Sequence, residues 1–338
     1  MPVNIIRKNK PTCIILAPVL HYTSYNLNNL HSMVKVFGHI SPDTDATTAA
    51  IVYAWYLNAH TASAATPYVL GELNSETSFV LQRFGFTVPE LLPELTAGES
   101  VVVVDTNNPQ ELPANINEMN IVALIDHHKL VGGLVTETPA DITIKPQACT
   151  ATIMYDIFTT QTIALPDNIA GLMLSAILSD TLGFRSPTTT PHDKDVAETL
   201  AAALSIDIQS YANEMFAAKS DISGFSDSGL IKLDSKKYEV GDKNFRVSVI
   251  ETTDTTNVLA RKEGLIKAIE NCVAEENDID DVLFFVVDIF KEQATVFTYS
   301  DLTKHVIASS FGVSVENDTE ILPGILSRKK QILPALKL

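Results

Sequence analysis

The chain has 338 residues, 46% of them hydrophobic, enough to bury a large core, and its length makes two domains the first expectation. A formal net charge of −17 excludes the broad positive surface that nucleic acid or an anionic membrane requires, so any phosphate is met locally by metals and a few cations. Cys13, Cys149 and Cys272 are widely spaced with no CxxC, which speaks against a disulfide framework or zinc knuckle and for a reducing cytoplasm, and no apolar run approaches the roughly 20 residues of a membrane span.

Residues 1–32 open with Arg7-Lys8-Asn9-Lys10 and an apolar run from Cys13 to Leu20, the outline of a signal peptide. The run is short, contains Pro18 and leads into His21-Tyr22-Thr23 rather than a small-residue cleavage site. It reads better as an amino-terminal extension, or as sequence ahead of a start at Met33.

From Met33 onward, short β-branched apolar runs alternate with longer apolar segments. Val34 to Gly38, Val101 to Val104 and Ile121 to Ile125 predict strands, and Ala46 to Leu57 and Ile169 to Leu178 predict helices. Such alternation implies a mostly parallel sheet covered by helices on both faces. Ligands bind beyond the carboxyl ends of such strands, where His39, Asp105 and Asp126 each fall one residue past a predicted strand.

Small and polar residues break the helical pattern at 220–226, a hinge linker between a first domain at 33–219 and a second at 227–338. In the second, Phe245 to Ile250, Val282 to Val287 and Ala294 to Thr298 predict strands, and Val258 to Asn271 and the carboxyl end predict helices. The fold expected is α/β, a larger domain and a smaller carboxyl-terminal one with the active site in the cleft between them.

The polar residues at the strand ends suit divalent metals. Oxygen and nitrogen donors bind Mn²⁺, Co²⁺, Zn²⁺ or Mg²⁺, and sharing carboxylates between two cations offsets the repulsion between them. In Gly38-His39-Ile40-Ser41-Pro42-Asp43-Thr44-Asp45 both carboxylates can turn to one centre, although either could instead cap the helix starting near Ala46. Asp105, closing Val101-Val102-Val103-Val104, is either a turn residue or an ionised group needing partners. In Asp126-His127-His128 neighbouring side chains diverge, so one histidine can ligate while the other reaches substrate. Asp180 ends an apolar helix, where a cation would relieve its charge and a solvated end is the plainer alternative. Ser327-Arg328-Lys329-Lys330-Gln331 is either a solvated charge run or a pocket for phosphate oxygens.

Taken in order, Gly38-His39 through Asp45, Val104-Asp105, Asp126-His127-His128, Ser179-Asp180-Thr181 and Ser327-Arg328-Lys329-Lys330-Gln331 resemble the family II (manganese-dependent) inorganic pyrophosphatases of the DHH phosphoesterase superfamily. The resemblance covers roughly residues 33 to 338. The Asp-His-His motif alone specifies only the superfamily; the carboxyl-terminal Ser-Arg-Lys-Lys-Gln narrows it to pyrophosphatases.

The resemblance implies one metal on His39, Asp43 and Asp105 and another on Asp45, Asp105, His127 and Asp180, with Asp105 shared. It implies phosphate contacts from His128, Lys236, Arg328 and Lys329, His128 assisting the leaving group. Lys236 and Lys237 are adjacent, and the flanking Asp234 and Tyr238 favour Lys236. The cofactors implied are Mn²⁺ or Co²⁺ at two sites and Mg²⁺ with the substrate, and the assembly a homodimer through the first domain. Ser41, Ala46 and Thr106 depart from the asparagine, serine and histidine common in the family, which bears on hydrogen bonding around the ligands. The short interval from His128 to Asp180 has no room for the regulatory nucleotide-binding insert of some members. The expected reaction is hydrolysis of pyrophosphate by a water bridging two metals. An exopolyphosphatase would share the metal residues but need a longer basic channel, and a non-catalytic binding module would be marked by a lost ligand.

Overall fold

The structure, a computed structural model, describes residues 33–338. The readings of residues 1–32 and of Cys13 lie outside them. The first sheet contains β1 (Val34–Phe37), β2 (Ala65–Val69), β3 (Glu90–Leu91), β4 (Ser100–Val104), β5 (Asn120–Asp126) and β6 (Asp141–Ile144), all paired in parallel in the order β3-β2-β1-β4-β5-β6.

The unbroken valine run of β4 is buried on both faces, which is why it lacks polar alternation. Val102 and Val104, with Val34 and Val36 of β1, face a core built with α1 (Thr44–His60), α2 (Ser75–Arg83), α3 (Thr150–Thr160), α4 (Asp167–Asp180), α5 (Pro191–Leu204) and α6 (Ile208–Lys219). Val101, Val103 and Phe37 face a smaller apolar layer with Leu95, Leu112, Ile116 and Met119, partly from a single-turn helix at Ile116–Glu118. The first eleven residues of α1 are all buried, which fixes the direction in which its amino end aims Asp43 and Asp45.

The second sheet has the order β11-β10-β9-β8-β7, from β7 (Ser235–Val240), β8 (Lys243–Thr252), β9 (Asp281–Asp288), β10 (Gln293–Phe297) and β11 (Thr319–Pro323). Only β8 and β9 pair in parallel. Leu230 and Ile231 of α7 (Asp227–Leu233), Val258 of α8 (Thr255–Leu259) and Leu265 and Ile269 of α9 (Lys262–Glu275) cover one face. Val306 and Ile307 of α10 (Asp301–Phe311) and Ile332 cover the other. No helix or strand spans 220–226.

Local differences from the sequence expectation have simple causes. The helix expected over Val258 to Asn271 is two, parted at Ala260 and Arg261, where the Arg261 side chain reaches Asp227 and the carbonyls of Ile222 and Phe225. Asp126 is the last residue of β5 rather than the first beyond it, paired with Ile144, and His39 lies two residues past β1.

Candidate active site

Strand order reverses between β1 and β4, whose following segments run to opposite sides of the sheet and leave a crevice at their carboxyl ends. Into this crevice β1 delivers His39, Asp43 and Asp45, and β4 delivers Asp105. Neighbouring β5 delivers His127 and His128, and the carboxyl end of α4 brings Asp180.

Gly38 permits the sharp entry: a Cβ there would lie 2.8 Å from the Cβ of Ala46, so the first turn of α1 packs directly against the loop. Asp43 caps the helix and also faces the cluster. Its Oδ1 accepts from the Ala46 amide at 2.9 Å as the helix cap, while Oδ2 lies 3.6 Å from His39 Nε2. Asp45 does not cap. Its Oδ2 accepts from the Thr150 amide at 2.7 Å, and its buried Oδ1 meets no donor.

Asp105 sits at the centre, fully buried. Oδ2 lies 3.4 Å from His39 Nε2, Oδ1 lies 3.2 Å from His127 Nε2, and Oδ1 also accepts from Thr150 Oγ1 at 3.2 Å. Its φ of +58° is left-handed, a conformation that short polar side chains tolerate best. Ser41, at φ +59°, occupies a similar conformation, one that asparagine tolerates better than serine.

Both ligand-candidate histidines are oriented alike. His39 Nδ1 lies 2.8 Å from the Ile40 carbonyl and His127 Nδ1 lies 3.1 Å from that of Gln147. With Nδ1–H donated to a carbonyl, Nε2 is left as the free donor atom, the usual support of a metal-binding imidazole. Single atoms of His39, Asp43 and Asp105 lie within 4.8 Å of one another, and so do those of Asp45, His127 and Asp180 and of Asp105, His127 and His128.

The electrostatics favour cations. Burial, reinforced by Asp105, pushes Asp45 up to about 7. Burial and the neighbouring Asp45 and Asp43 push Asp180 well above the usual carboxylate range. Burial and Lys236 act to lower His39, but Asp43 and Asp105 outweigh them and lift it to about 10. Burial works to raise Asp105, yet His127 and His39 hold it well below its ordinary value. The cluster thus attracts positive charge at neutral pH, and its all-oxygen-and-imidazole donors, with the orphaned Asp45 Oδ1, fit divalent metals such as Mn²⁺.

His128 differs from its neighbour. Asp126, buried beneath it, accepts from both the His128 amide at 3.0 Å and Nδ1 at 2.8 Å, and is itself held by Asn107 at 2.5 Å. Burial, with Lys329 nearby, lowers His128 to about 4. It is therefore a neutral imidazole whose Nε2 is free on a side chain that lines the cleft.

The opposite wall carries the cations. Lys236 on β7 lines the cleft and donates to Glu111 Oε2 at 3.0 Å, whereas Lys237 points away to Asp278 at 2.7 Å and Glu276 at 3.1 Å. Thr106 donates to the same Glu111 oxygen at 3.0 Å, so this departure from the family pattern acts on the partner of Lys236. Arg328 and Lys329 begin a five-residue π-helical turn, Arg328–Ile332. Arg328 pairs with Asp234 at 2.8 Å, and Lys329 Nζ lies 3.3 Å from His127 Nε2. Gln331 faces elsewhere: its Oε1 accepts from the amides of Leu326 and Ser327, bracing the turn.

Sequence reasoning missed the supports. The 147–150 segment contributes the Gln147 carbonyl to His127, the Thr150 amide to Asp45 and the Thr150 hydroxyl to Asp105. Asp193 of α5, fully buried, holds that segment by accepting from the Ala148 amide at 3.0 Å and from Thr152 Oγ1 at 2.6 Å. A Thr190–Asp193 capping pair is visible in the sequence, but nothing there indicates that its carboxylate also reaches α3.

Comparison with known proteins agrees with this geometry. Residues 33–177 match the DHH family, N-terminal domain, and residues 213–338 match the DHHA2 domain. The chain is 40% identical over 311 residues to a Deinococcus radiodurans protein described as a probable manganese-dependent inorganic pyrophosphatase, covering 90% of this chain and 98% of the relative. A Lactobacillus acidophilus protein of the same description is 36% identical, with 89% and 96% covered. The crystal structure of a Methanococcus jannaschii protein assigned to the family II inorganic pyrophosphatases superposes with a TM-score of 0.78 at 34% identity, covering 90% of this chain and 98% of that one.

Proposed function

The chain belongs to the family of manganese-dependent inorganic pyrophosphatases, and from that premise we propose that it hydrolyses inorganic pyrophosphate to two orthophosphates in this cleft. The observation that carries the assignment of residues is the convergence of His39, Asp43, Asp45, His127 and Asp180 around the two oxygens of Asp105. His39, Asp43 and Asp105 would hold one Mn²⁺ or Co²⁺, and Asp45, Asp105, His127 and Asp180 the other, with Mg²⁺ brought by the substrate. When bound, such a pair supplies Lewis acidity that lowers the pKa of a shared water enough for it to attack phosphorus.

The chain's own residues do the rest. Asp105 offers one oxygen to each side, which fixes the spacing of the two donor sets. His128, kept neutral by burial and aimed by Asp126, offers Nε2 to a phosphate or leaving-group oxygen, and Lys236, Arg328 and Lys329 neutralise phosphate charge from the second domain. Because ligands and cations come from different sheets, closure about 220–226 would complete the site and exclude water. Substrate phosphate would then take Lys236 from Glu111 and Arg328 from Asp234.

The same reading includes a homodimer through the first domain, supported by the β6 edge, where Ile142 and nearby Leu130, Val131 and Val135 are exposed apolar side chains. It also includes a cytoplasmic location, supported by buried free thiols at Cys149 and Cys272. Among the described residues no helix is long and apolar enough to cross a membrane.

The test is phosphate release from pyrophosphate and, in parallel, tripolyphosphate, by metal-stripped protein reloaded with Mn²⁺ and supplied with Mg²⁺. Fast Mn²⁺-dependent turnover of pyrophosphate alone is expected. Preference for the longer chain would make it a polyphosphatase, and turnover of neither would overturn the enzymatic reading.

A further inference from the structure

Beside the metal-ligand candidates lies an ionic cluster that catalysis as described does not use: a buried glutamate, Glu76, and a partly exposed pair at the cleft wall, Lys219 and Glu251. Glu76, in the first turn of α2, has no exposed surface. Its Oε1 accepts from Thr44 Oγ1 at 2.7 Å and from the hydroxyl of Ser179. Thr44 stands between Asp43 and Asp45, and Ser179 precedes Asp180, so one carboxylate oxygen ties together the backbones that carry three of the proposed ligands.

The other oxygen of Glu76 is buried without a hydrogen-bond donor, and its counter-charge is the Lys219 ammonium at 3.6 Å. A buried carboxylate stays ionised only with such a partner. Lys219 is the last residue of α6, immediately before 220–226, and donates at 2.5 Å to Glu251 on β8 of the second sheet. Beside it, Ser220 Oγ accepts from the Thr253 amide at 2.8 Å, and Ser75 Oγ donates to the Asp221 carbonyl at 3.0 Å. The chain of contacts Glu251–Lys219–Glu76 therefore runs from the second domain, through the end of the first, to the loops holding the ligands.

We propose that Glu76 is a positioning residue for Asp43, Asp45 and Asp180, and that its grip is set across the domain boundary by the Lys219–Glu251 pair, so that seating of the second domain tunes metal affinity in the first. The proposal rests on the ligand assignment above. Without Glu251, the ammonium has Glu76 as its sole close carboxylate and draws it from the two hydroxyls. Without Lys219, the buried Glu76 carboxylate loses its close counter-charge, and its hold on the Thr44 and Ser179 hydroxyls is disturbed.

The experiment titrates Mn²⁺ into metal-free full-length protein by calorimetry, comparing the unaltered chain, Asp105→Ala, Glu76→Gln, Lys219→Met, Glu251→Gln and the Glu76→Gln/Glu251→Gln double variant, with circular dichroism to confirm folding. Loss of binding in Asp105→Ala upholds the ligand assignment on its own; retained stoichiometry there would sink that assignment rather than the relay alone. Glu76→Gln is expected to weaken Mn²⁺ binding about 10-fold, as loss of a group supporting ligands does. Glu251→Gln, which touches no ligand, is expected to weaken it about 5-fold, with the double variant little worse than Glu76→Gln alone. Should Glu251→Gln and Lys219→Met fold and bind Mn²⁺ like the unaltered chain, the cross-domain coupling is wrong. Should Glu76→Gln also do so, the positioning role is wrong as well. Fully multiplicative effects in the double variant would likewise overturn the relay, because they would mean that the two residues act independently.

Discussion

The two walls of the cleft are built on opposite principles. On the first sheet, His39, Asp45 and Asp105 are buried and fastened by hydrogen bonds to a backbone carbonyl, a backbone amide and a hydroxyl, so their arrangement is fixed before any ligand arrives. On the second, Lys236, Arg328 and Lys329 are held only by exchangeable polar partners, Glu111, Asp234 and His127. A wall that holds metals permanently needs preorganised geometry. A wall that must grasp and release phosphate needs partners that a phosphate can displace.

The largest expected effect tests the first wall. Asp105→Ala removes the carboxylate shared by both donor sets, and turnover and bound Mn²⁺ should vanish together when activity and metal content are measured on one preparation. Activity retained at reduced metal content would show that the donor sets do not depend on a common residue.

A cut into the second wall should separate catalysis from metal binding. Lys236→Ala and Arg328→Ala are expected to lower kcat about 100-fold or more, in line with loss of a group that stabilises developing charge, while leaving Mn²⁺ affinity unchanged. A parallel fall in Mn²⁺ affinity would break the distinction between the walls.

The supports come next. Asp193→Asn keeps the volume of the side chain but replaces one accepting oxygen with a donor, leaving amides or hydroxyls of the 147–152 segment unmatched. A loss of about 1–3 kcal/mol in stability and about 10-fold in Mn²⁺ affinity is expected, read by denaturant unfolding and calorimetry. A stability loss with unchanged affinity would mean that the segment braces the fold alone.

The smallest effect distinguishes neighbours on β7. Lys237→Ala should leave turnover within about twofold and change stability by no more than about 0.5 kcal/mol, because its partners lie outside the cleft. Its partner Glu276, despite burial, is held down to about 2 by Arg246 and Lys237. The stability that Glu276 contributes is complete above its unfolded value near 4.5 and is lost as pH falls toward 2, so Lys237→Ala should reduce the steepness of acid unfolding in that window. An identical acid profile would show that Arg246 and Lys232 hold Glu276 without Lys237.

How much of this was legible in sequence follows from the same contrast. The valine run of β4, the apolar β5 and the long apolar stretches of α1 and α4 announce themselves because they are buried nearly throughout. Strand β2 carries Pro67, which argues against a strand, and α3, rich in threonine and isoleucine, has a composition suited to either state. The proposed ligands stand at strand ends in short motifs, so chemistry and position coincide in the sequence. Glu76, Asp193 and Glu111 act on Thr44, Thr152 and Lys236, which lie 32, 41 and 125 positions away, and only the folded chain brings such separations together.

Asp105 meets two demands that are independent of each other. The backbone at φ +58° favours asparagine or aspartate among residues with side chains, while the buried position between two histidines favours a full negative charge. Only one amino acid satisfies both, so no substitution here is a neutral step through which a lineage could drift and return. Tolerance to mutation should therefore fall to a single letter at residue 105, and asparagine there would preserve the shape of a site that no longer works.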